Sequence, residues 1–168
     1  MTTTDPNALD HATFLARVGP VFEHSPWVAD RTWTARPFDG VAGLHYAMMQ
    51  VVAAASADEQ LALLRAHPDL AGKAARARTM TADSTQEQAG VGLDRLSDAE
   101  YVRFDRLNTA YRDTFGFPFI VAVKRHTKES ILAAYETRLR HDRATEIETA
   151  LAEVGLITRF RLEALFGG

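Results

Sequence analysis

Ala66-His67-Pro68-Asp69-Leu70 opens the stretch around which this sequence is organised, and Ser84-Thr85-Gln86-Glu87-Gln88 follows within it. On the N-terminal side of this stretch, Ser56-Ala57-Asp58-Glu59 has the form of a capping box, which predicts a helix that begins at its serine. A residue before proline is disfavoured in the α region, so Pro68 ends this helix and His67 lies just past its last turn. Unpaired carbonyls at that turn favour imidazolium and would raise the pKa of His67, which suits a proton donor.

The second half of the stretch predicts another helix start. Ser84 to Glu87 is Ser-x-x-Glu, which predicts Ser84 as an N-cap and Glu87 in the first helical turn. Free backbone N–H groups at such a start can hold an anionic or carbonyl-bearing ligand. Each feature also has an ordinary explanation, because a capping-box glutamate is often only a cap and a histidine before proline is often only a surface turn. Taken singly, the two features leave both explanations open.

Composition narrows the class of protein. A chain of 168 residues with 46% hydrophobic residues fits one domain, residues 1–168, with a sizeable core. The net charge of -3, with both signs interspersed, argues against nucleic-acid and membrane-surface partners and favours a small molecule. Because cysteine is absent, disulfides, thiolate nucleophiles and cysteine-based metal sites are excluded. No signal pattern and no apolar run of about 18 residues is present, so we expect a soluble, cytoplasmic protein.

Helical signals recur along the chain, and one stretch differs from them. Among the helical signals, Ser97-Asp98-Ala99-Glu100 is a further capping box, and Gly116 is the predicted stop of the helix that it begins. Phe117-Pro118-Phe119-Ile120-Val121-Ala122-Val123 has strand propensity, but no second strand candidate exists to pair with it. We therefore predict a buried extended segment whose backbone groups meet side chains, water or a ligand. Such backbone can present fixed donors to a small polar molecule, and simple core filling explains the stretch equally well. The predicted fold is all-α: a single-domain compact helical bundle with one buried extended segment.

Few known catalytic motifs occur in the sequence. It has no phosphate-binding glycine loop, no His-Glu-x-x-His and no serine elbow, and its histidines lack ligand spacing, so we expect no cofactor and no metal. His45 lies on an apolar helical stripe, where a hydrogen-bonded core histidine is expected. From the residues alone, the best site combines His67, Glu87, the 119–123 backbone and Arg161. Arg161 lies in an apolar stretch. A snorkelling or ion-paired arginine is the structural explanation there, a clamp for a substrate carboxylate is the functional one, and the sequence leaves both open.

Several motifs together resemble one known family, the 2-oxo-4-hydroxy-4-carboxy-5-ureidoimidazoline (OHCU) decarboxylases. The resemblance covers nearly the whole chain in the family's order. Its motifs are FEHSPW at 22–27, HPDLAG at 67–72, STQEQAGVGL at 84–93, Leu107-Asn108 with Tyr111, FGFPFIVAV at 115–123, Glu146, Ala150-Leu151 and Arg161-Leu162. Val91 departs from the pattern where alanine is more usual.

The resemblance implies an all-helical lyase that catalyses the last step from urate to (S)-allantoin. It implies that His67 is the catalytic proton donor, with Glu87 as the second catalytic residue. It also implies a set of substrate-binding residues: Pro68, Ser84, Thr85, Gln86, Glu87, Gln88, Phe119, Ile120, Val121, Ala122, Val123 and Arg161.

The chemistry of this substrate fits the residues available. A ring C=N beside the carboxylated carbon can accept the electron pair, so no pyridoxal, thiamine or metal is required, and positioning with one acid suffices. We expect His67 to deliver the proton, Glu87 to bind a substrate hydroxyl or N–H, and Arg161 to bind an anionic group. The 119–123 backbone would bind ureido or ring amides. The alternatives are a related helical lyase acting on another ureide or imide, and a catalytically silent binding module. The expected partner is a small-molecule ureide, and a homodimer is left open.

Overall fold

The computed structural model describes residues 5–72, 75 and 77–167. Eight α-helices have both ends within these residues, and no β-strand occurs among them, which confirms the all-α prediction. None of the described helices combines the length and hydrophobicity needed to cross a membrane. The helices are α1 His11–Val18, α2 Trp27–Thr32, α3 Gly40–Ala54, α4 Ala57–Arg65, α5 Ala82–Gly90, α6 Asp98–Phe115, α7 Lys128–Arg138 and α8 Arg143–Phe166.

Contacts divide the chain into two units. The terminal unit comprises Met1–Ala66 with Gly155–Gly168, and the central unit comprises His67–Val154. One boundary follows the C-cap of α4, and the other falls inside α8. The single domain expected from chain length stays a prediction.

Two helices begin where the sequence places them. The hydroxyls of Ser56 and Ser97 accept hydrogen bonds from the N–H groups of Glu59 and Glu100, and each glutamate carboxylate accepts one from the serine N–H. These complete capping boxes satisfy donors that a helix start otherwise leaves free. Gly116 ends α6 at φ 83°, a left-handed conformation that glycine adopts without a Cβ clash.

Helix α5 begins earlier than predicted. Thr81 is its N-cap: the Thr81 hydroxyl accepts from the N–H of Ser84 at 3.3 Å, and the Thr85 hydroxyl donates to the Thr81 carbonyl at 2.8 Å. The prediction of Ser84 as the N-cap is therefore wrong, and Glu87 lies in the second turn instead of the first. Thr81-x-x-Ser84 offers the same cap spacing one turn earlier, and a serine already inside the helix cannot also cap it.

The extended segment between α6 and α7 is confirmed. Every residue of 117–123 is buried, and residues 117–122 form neither helix nor strand. A backbone buried in this way needs partners for its polar groups, and side chains supply two of them. Arg138 donates to the carbonyl of Ile120, and the carboxylate of Glu153 accepts from the N–H of Ala122 at 3.1 Å. The segment ends one residue early, because Val123 opens the 3-10 turn Val123–Arg125.

In the terminal unit, α3 contains the predicted core histidine. Nε2 of His45 lies 2.9 Å from the carbonyl oxygen of Gly155 and 3.2 Å from the hydroxyl of Thr158. A carbonyl only accepts, so Nε2 carries the hydrogen. Burial lowers the pKa of His45, which favours the neutral ring. The ring is half-buried, and its two contacts confirm the predicted hydrogen-bonded histidine.

Candidate active site

His67 occupies the position that the sequence predicts. Helix α4 ends at Arg65 with Ala66 as its C-cap, so His67 is the first residue beyond the cap. Its side chain is buried, with 6% of the residue exposed, and the ring atom Nε2 has almost no accessible surface. A surface turn would leave the ring in water, so that explanation does not apply.

The loop that follows His67 is held by a side chain of α5. Gln88 is buried; its Oε1 accepts from the N–H of Ala71 at 2.9 Å, and its Nε2 donates to the carbonyl of Asp69 at 3.2 Å. Ala71 has φ 52°, a left-handed conformation that costs an alanine roughly 1–2 kcal/mol. The bond to Gln88 therefore holds a strained residue near the candidate acid.

Helix α6 supplies two further supports for the same loop. Asn108 is buried and donates from Nδ2 to the carbonyl of Leu70 at 2.8 Å, and Arg112 Nε pairs with the carboxylate of Asp69 at 3.0 Å. At Gly72 an added Cβ would lie 2.8 Å from the Cβ of Asp69, closer than two carbons can approach, so the turn requires glycine. Residues 69–71 are thus each bonded to a side chain from a helix.

The predicted binding residues on α5 divide between two faces. Ser84 and Gln88 are buried, Glu87 is half-buried, and Thr85 and Gln86 are exposed. The same helix contacts the turn Val123–Arg125 at the end of the extended segment. The central unit therefore brings together the His67 loop, the inner face of α5 and the end of the segment 117–123. The substrate-binding role of these residues stays a prediction.

A buried polar network lies behind the extended segment. Arg138 donates from Nε to Glu146, and the Tyr111 hydroxyl donates to the same carboxylate oxygen at 2.6 Å. Nδ1 of His141 lies 2.9 Å from the other oxygen. Burial raises the pKa of Tyr111, and the hydrogen bond to Glu146 raises it by a smaller amount, so the phenol stays protonated and donates. Through its bond to Ile120, Arg138 connects this network to the segment.

Arg161 belongs to the terminal unit, where it has partners of its own. Nη2 lies 3.2 Å from a carboxylate oxygen of Glu23, and Nη1 donates to the carbonyl of Val21 at 3.2 Å. Both members of the ion pair are buried, so the ion-paired alternative considered from the sequence is present. The role of Arg161 as a clamp for an anionic substrate group stays a prediction. Among the described residues, no group of three or more His, Asp or Glu side chains is placed to hold a metal ion.

The supporting roles of Asn108 and Arg138 were not predicted from the sequence, although the position of each carries a signal. Asn108 lies between Phe104, Tyr111 and Phe115 on α6, and Arg138 follows Ile131 and Tyr135 on α7 at helical spacing. A polar side chain within such a buried stripe must find a partner, so its position alone indicates a buried hydrogen bond. What the spacing does not indicate is which partner it finds.

Fold and site together define a class: a helical protein whose candidate acid is buried on a loop supported by helix side chains. A family model described as OHCU decarboxylase matches residues 7–163. The chain therefore belongs to the OHCU decarboxylase family.

Two relatives carry the name 2-oxo-4-hydroxy-4-carboxy-5-ureidoimidazoline decarboxylase. The one from Halalkalicoccus jeotgali is 49% identical over 98% of this chain and 92% of its own length. The one from Haloferax volcanii is 46% identical over 99% of this chain and 96% of its own length.

Two solved structures resemble the chain. A crystal structure of (S)-allantoin synthase superposes with a TM-score of 0.76 at 34% identity, covering 97% of this chain and 54% of that one. A crystal structure of OHCU decarboxylase in the presence of (S)-allantoin has a TM-score of 0.67 at 21% identity, covering 84% of this chain and 92% of that one. The second likeness bears on the fold alone.

Proposed function

We propose that this protein decarboxylates OHCU to (S)-allantoin without a cofactor, the last step of urate degradation to allantoin. The observation that carries the proposal is the buried His67 on a loop held at residues 69–71, in a chain that belongs to the OHCU decarboxylase family. The relatives at 49% and 46% identity bear the name of this activity and match over almost their whole length.

The reaction balances with protein side chains alone. Carbon dioxide leaves from the ring carbon that bears the hydroxyl, and the electron pair left behind forms a double bond to the neighbouring ureido-bearing carbon. The π bond of the ring C=N at that carbon breaks at the same time, and its electron pair moves onto the ring nitrogen, which takes a proton. The resulting enol becomes a carbonyl as the hydroxyl loses its hydrogen and the ureido-bearing carbon gains one. One proton is consumed overall. We assign His67 to protonating the ureido-bearing carbon and Glu87 to the hydrogen bond with the hydroxyl.

The remaining predicted residues would bind and orient the substrate. In the extended segment, the carbonyl of Ile120 and the N–H of Ala122 already bond to Arg138 and Glu153, which holds that backbone in one conformation. Fixed backbone groups of this kind cost little reorganisation when a ureido or ring amide binds. We assign Arg161 to an anionic group of the substrate, held ready by its bonds to Glu23 and the Val21 carbonyl.

A direct assay tests the proposal. Freshly generated OHCU decays slowly in solution, and its ultraviolet absorbance reports the decay. We expect the protein to accelerate this decay to allantoin in proportion to its concentration. A binding module would slow the decay or leave it unchanged, and a lyase for another ureide would act on that compound faster than on OHCU. Either outcome would overturn the proposal.

The proposal includes a cytoplasmic location and a homodimer. Helix α3 carries no Asp, Glu, Lys or Arg over its 15 residues, and its Tyr46 is 67% exposed. We propose this uncharged helix, with its exposed aromatic ring, as the surface that a second copy covers. Light scattering after size-exclusion chromatography should give twice the mass of the chain, and fractionation of the source cells tests the location. A monomer at micromolar concentration would contradict the assembly.

A further inference from the structure

Tyr135 contacts the supports of two separate parts of the candidate site. Its hydroxyl donates to Oδ1 of Asn108, and its ring stacks on Phe119 with centroids 3.8 Å apart and planes at 19°. Tyr135 and Phe119 are fully buried, so water does not compete for either contact. Phe119 is the first residue of the predicted substrate-binding backbone, and Asn108 holds the loop of His67.

The two partners of Asn108 together fix the orientation of its amide. The carbonyl of Leu70 only accepts, so Nδ2 faces it and donates at 2.8 Å. Oδ1 therefore faces Tyr135 and accepts from its hydroxyl. Burial raises the pKa of Tyr135 well above its ordinary value, so the hydroxyl keeps its hydrogen. The bonds therefore run in one direction, from Tyr135 to Asn108 to the loop.

One side chain is thus connected to a support of the His67 loop and to the extended segment. The loop from His67 to Gly72 lies outside the described helices. Residues 117–122 do so too, although the carbonyl of Ala122 accepts from the N–H of Arg125 at 3.0 Å at the start of the next turn. Each is held by side chains, and Tyr135 is connected to both. Because α7 is a regular helix, the Tyr135 backbone gives the two irregular segments a common, rigid reference.

We propose that Tyr135 is a positioning residue that sets the loop of His67 against the 119–123 backbone through Asn108 and Phe119. This inference rests on the proposed decarboxylation, in which His67 must reach one face of a planar carbon while the backbone holds the substrate. It assigns Tyr135 no contact with the substrate and no proton transfer.

The test is Tyr135→Phe, which removes the hydroxyl and keeps the ring stack. We expect kcat to fall about 10- to 100-fold, because a displacement of about 1 Å can cost that much, while KM changes less than about threefold. The enantiomeric excess of the first-formed allantoin should fall as well, because a displaced acid no longer reaches one face only. A purely structural role would move neither kcat per folded molecule nor the enantiomeric excess.

The matched control is Thr32→Val, which also removes one fully buried hydroxyl. That hydroxyl donates only within its own helix, to the carbonyl of Val28 at 2.7 Å, so kcat and enantiomeric excess should stay at wild-type values. Asn108→Ser interrupts the same chain of hydrogen bonds at Asn108. It tests the positioning role if Tyr135→Phe does not fold. It should reproduce the losses in kcat and enantiomeric excess.

The outcomes separate this inference from the proposed function. An inactive wild-type protein would overturn both. An active wild type with a folded Tyr135→Phe variant within about twofold in kcat and unchanged in enantiomeric excess would overturn the positioning role alone. An equal loss of kcat in Thr32→Val would also overturn it, because the defect would then follow stability and not the bond to Asn108.

Discussion

Arg138 and Glu146 form an ion pair that is almost completely shielded from water. Arg138 donates to one carboxylate oxygen of Glu146, with side-chain exposures of 6% and 0%. The same guanidinium donates to the carbonyl of Ile120 and lies over the ring of Phe119, 4.4 Å from its centroid. One buried pair therefore supports the extended segment by a hydrogen bond and by packing.

Breaking this pair should be costly. In Glu146→Ala the charge of Arg138 stays buried without its carboxylate, which typically costs about 3–5 kcal/mol of unfolding free energy. The double variant Arg138→Met/Glu146→Leu removes both charges, so its unfolding free energy should fall by less than that of Glu146→Ala. Urea denaturation monitored by circular dichroism measures both. A loss below about 1 kcal/mol in Glu146→Ala would mean that the pair is solvated.

His67→Asn should abolish turnover and leave the thermal midpoint within a few degrees of wild type. Asparagine keeps a buried polar group but cannot donate a proton at neutral pH, so chemistry is lost before stability. The control is His11→Asn, because the His11 ring is half-exposed at the surface and pairs with Asp30. If His67→Asn keeps more than about a tenth of wild-type kcat/KM, a loss under roughly 1.4 kcal/mol, His67 is not the acid.

Glu87→Gln should reduce kcat/KM less than Glu87→Ala does. The glutamine amide oxygen preserves a hydrogen-bond acceptor for the substrate hydroxyl, whereas alanine removes it. Helix α5 starts at Ala82, so Glu87 has no N3 capping role, and alanine suits a helix interior. Melting curves of the two variants should therefore agree within a few degrees. Equal kinetic defects would instead show that the reaction requires the charge of Glu87.

Activity should survive exhaustive chelation. The substrate supplies its own electron sink, and the histidines of the sequence lack the spacing of metal ligands. We expect unchanged kcat after dialysis against EDTA, with a known zinc enzyme treated in parallel to verify removal. If activity is lost on chelation and one added metal restores it, the cofactor-free mechanism is wrong.

His45 should make stability depend on pH. Burial holds its folded-state pKa below the ordinary value of 6.5, with the like charge of Arg159 acting in the same direction and the Gly155 carbonyl and Glu163 opposing. The unfolded chain therefore binds more protons, so the contribution of neutral His45 is present above pH 6.5 and is lost as the pH falls through the folded-state pKa.

The variant His45→Gln isolates that contribution, because glutamine keeps an N–H donor for the Gly155 carbonyl and does not titrate. The unfolding free energy of the wild type, relative to that of the variant, should be higher at about pH 8 than at about pH 5. Urea titrations at each pH measure it. A difference that is independent of pH would show that His45 titrates alike in both states.

The sequence by itself determined the helix boundaries that depend on near neighbours. Ser56 and Ser97 cap through glutamates three positions on, Gly116 supplies its own left-handed turn, and Pro68 excludes helix at His67. Burial of residues 117–123 also followed from the sequence, because seven residues without a charge and without a partner strand have few alternatives. The caps, the glycine and the proline each act within about four residues, a range in which backbone geometry leaves little freedom.

Only the tertiary structure decided the polar partners. Tyr135 and Asn108 are 27 residues apart, Tyr111 and Glu146 are 35 apart, and Arg161 and Glu23 are 138 apart. A buried polar group must be satisfied, but any of many donors or acceptors would serve, and packing selects among them. The start of α5 is a further case: Thr81 and Ser84 offer caps of equal spacing, and only the structure shows that Thr81 is the cap. The physical reason is that hydrophobic burial brings distant segments together, and hydrogen bonds then form between whatever side chains meet there.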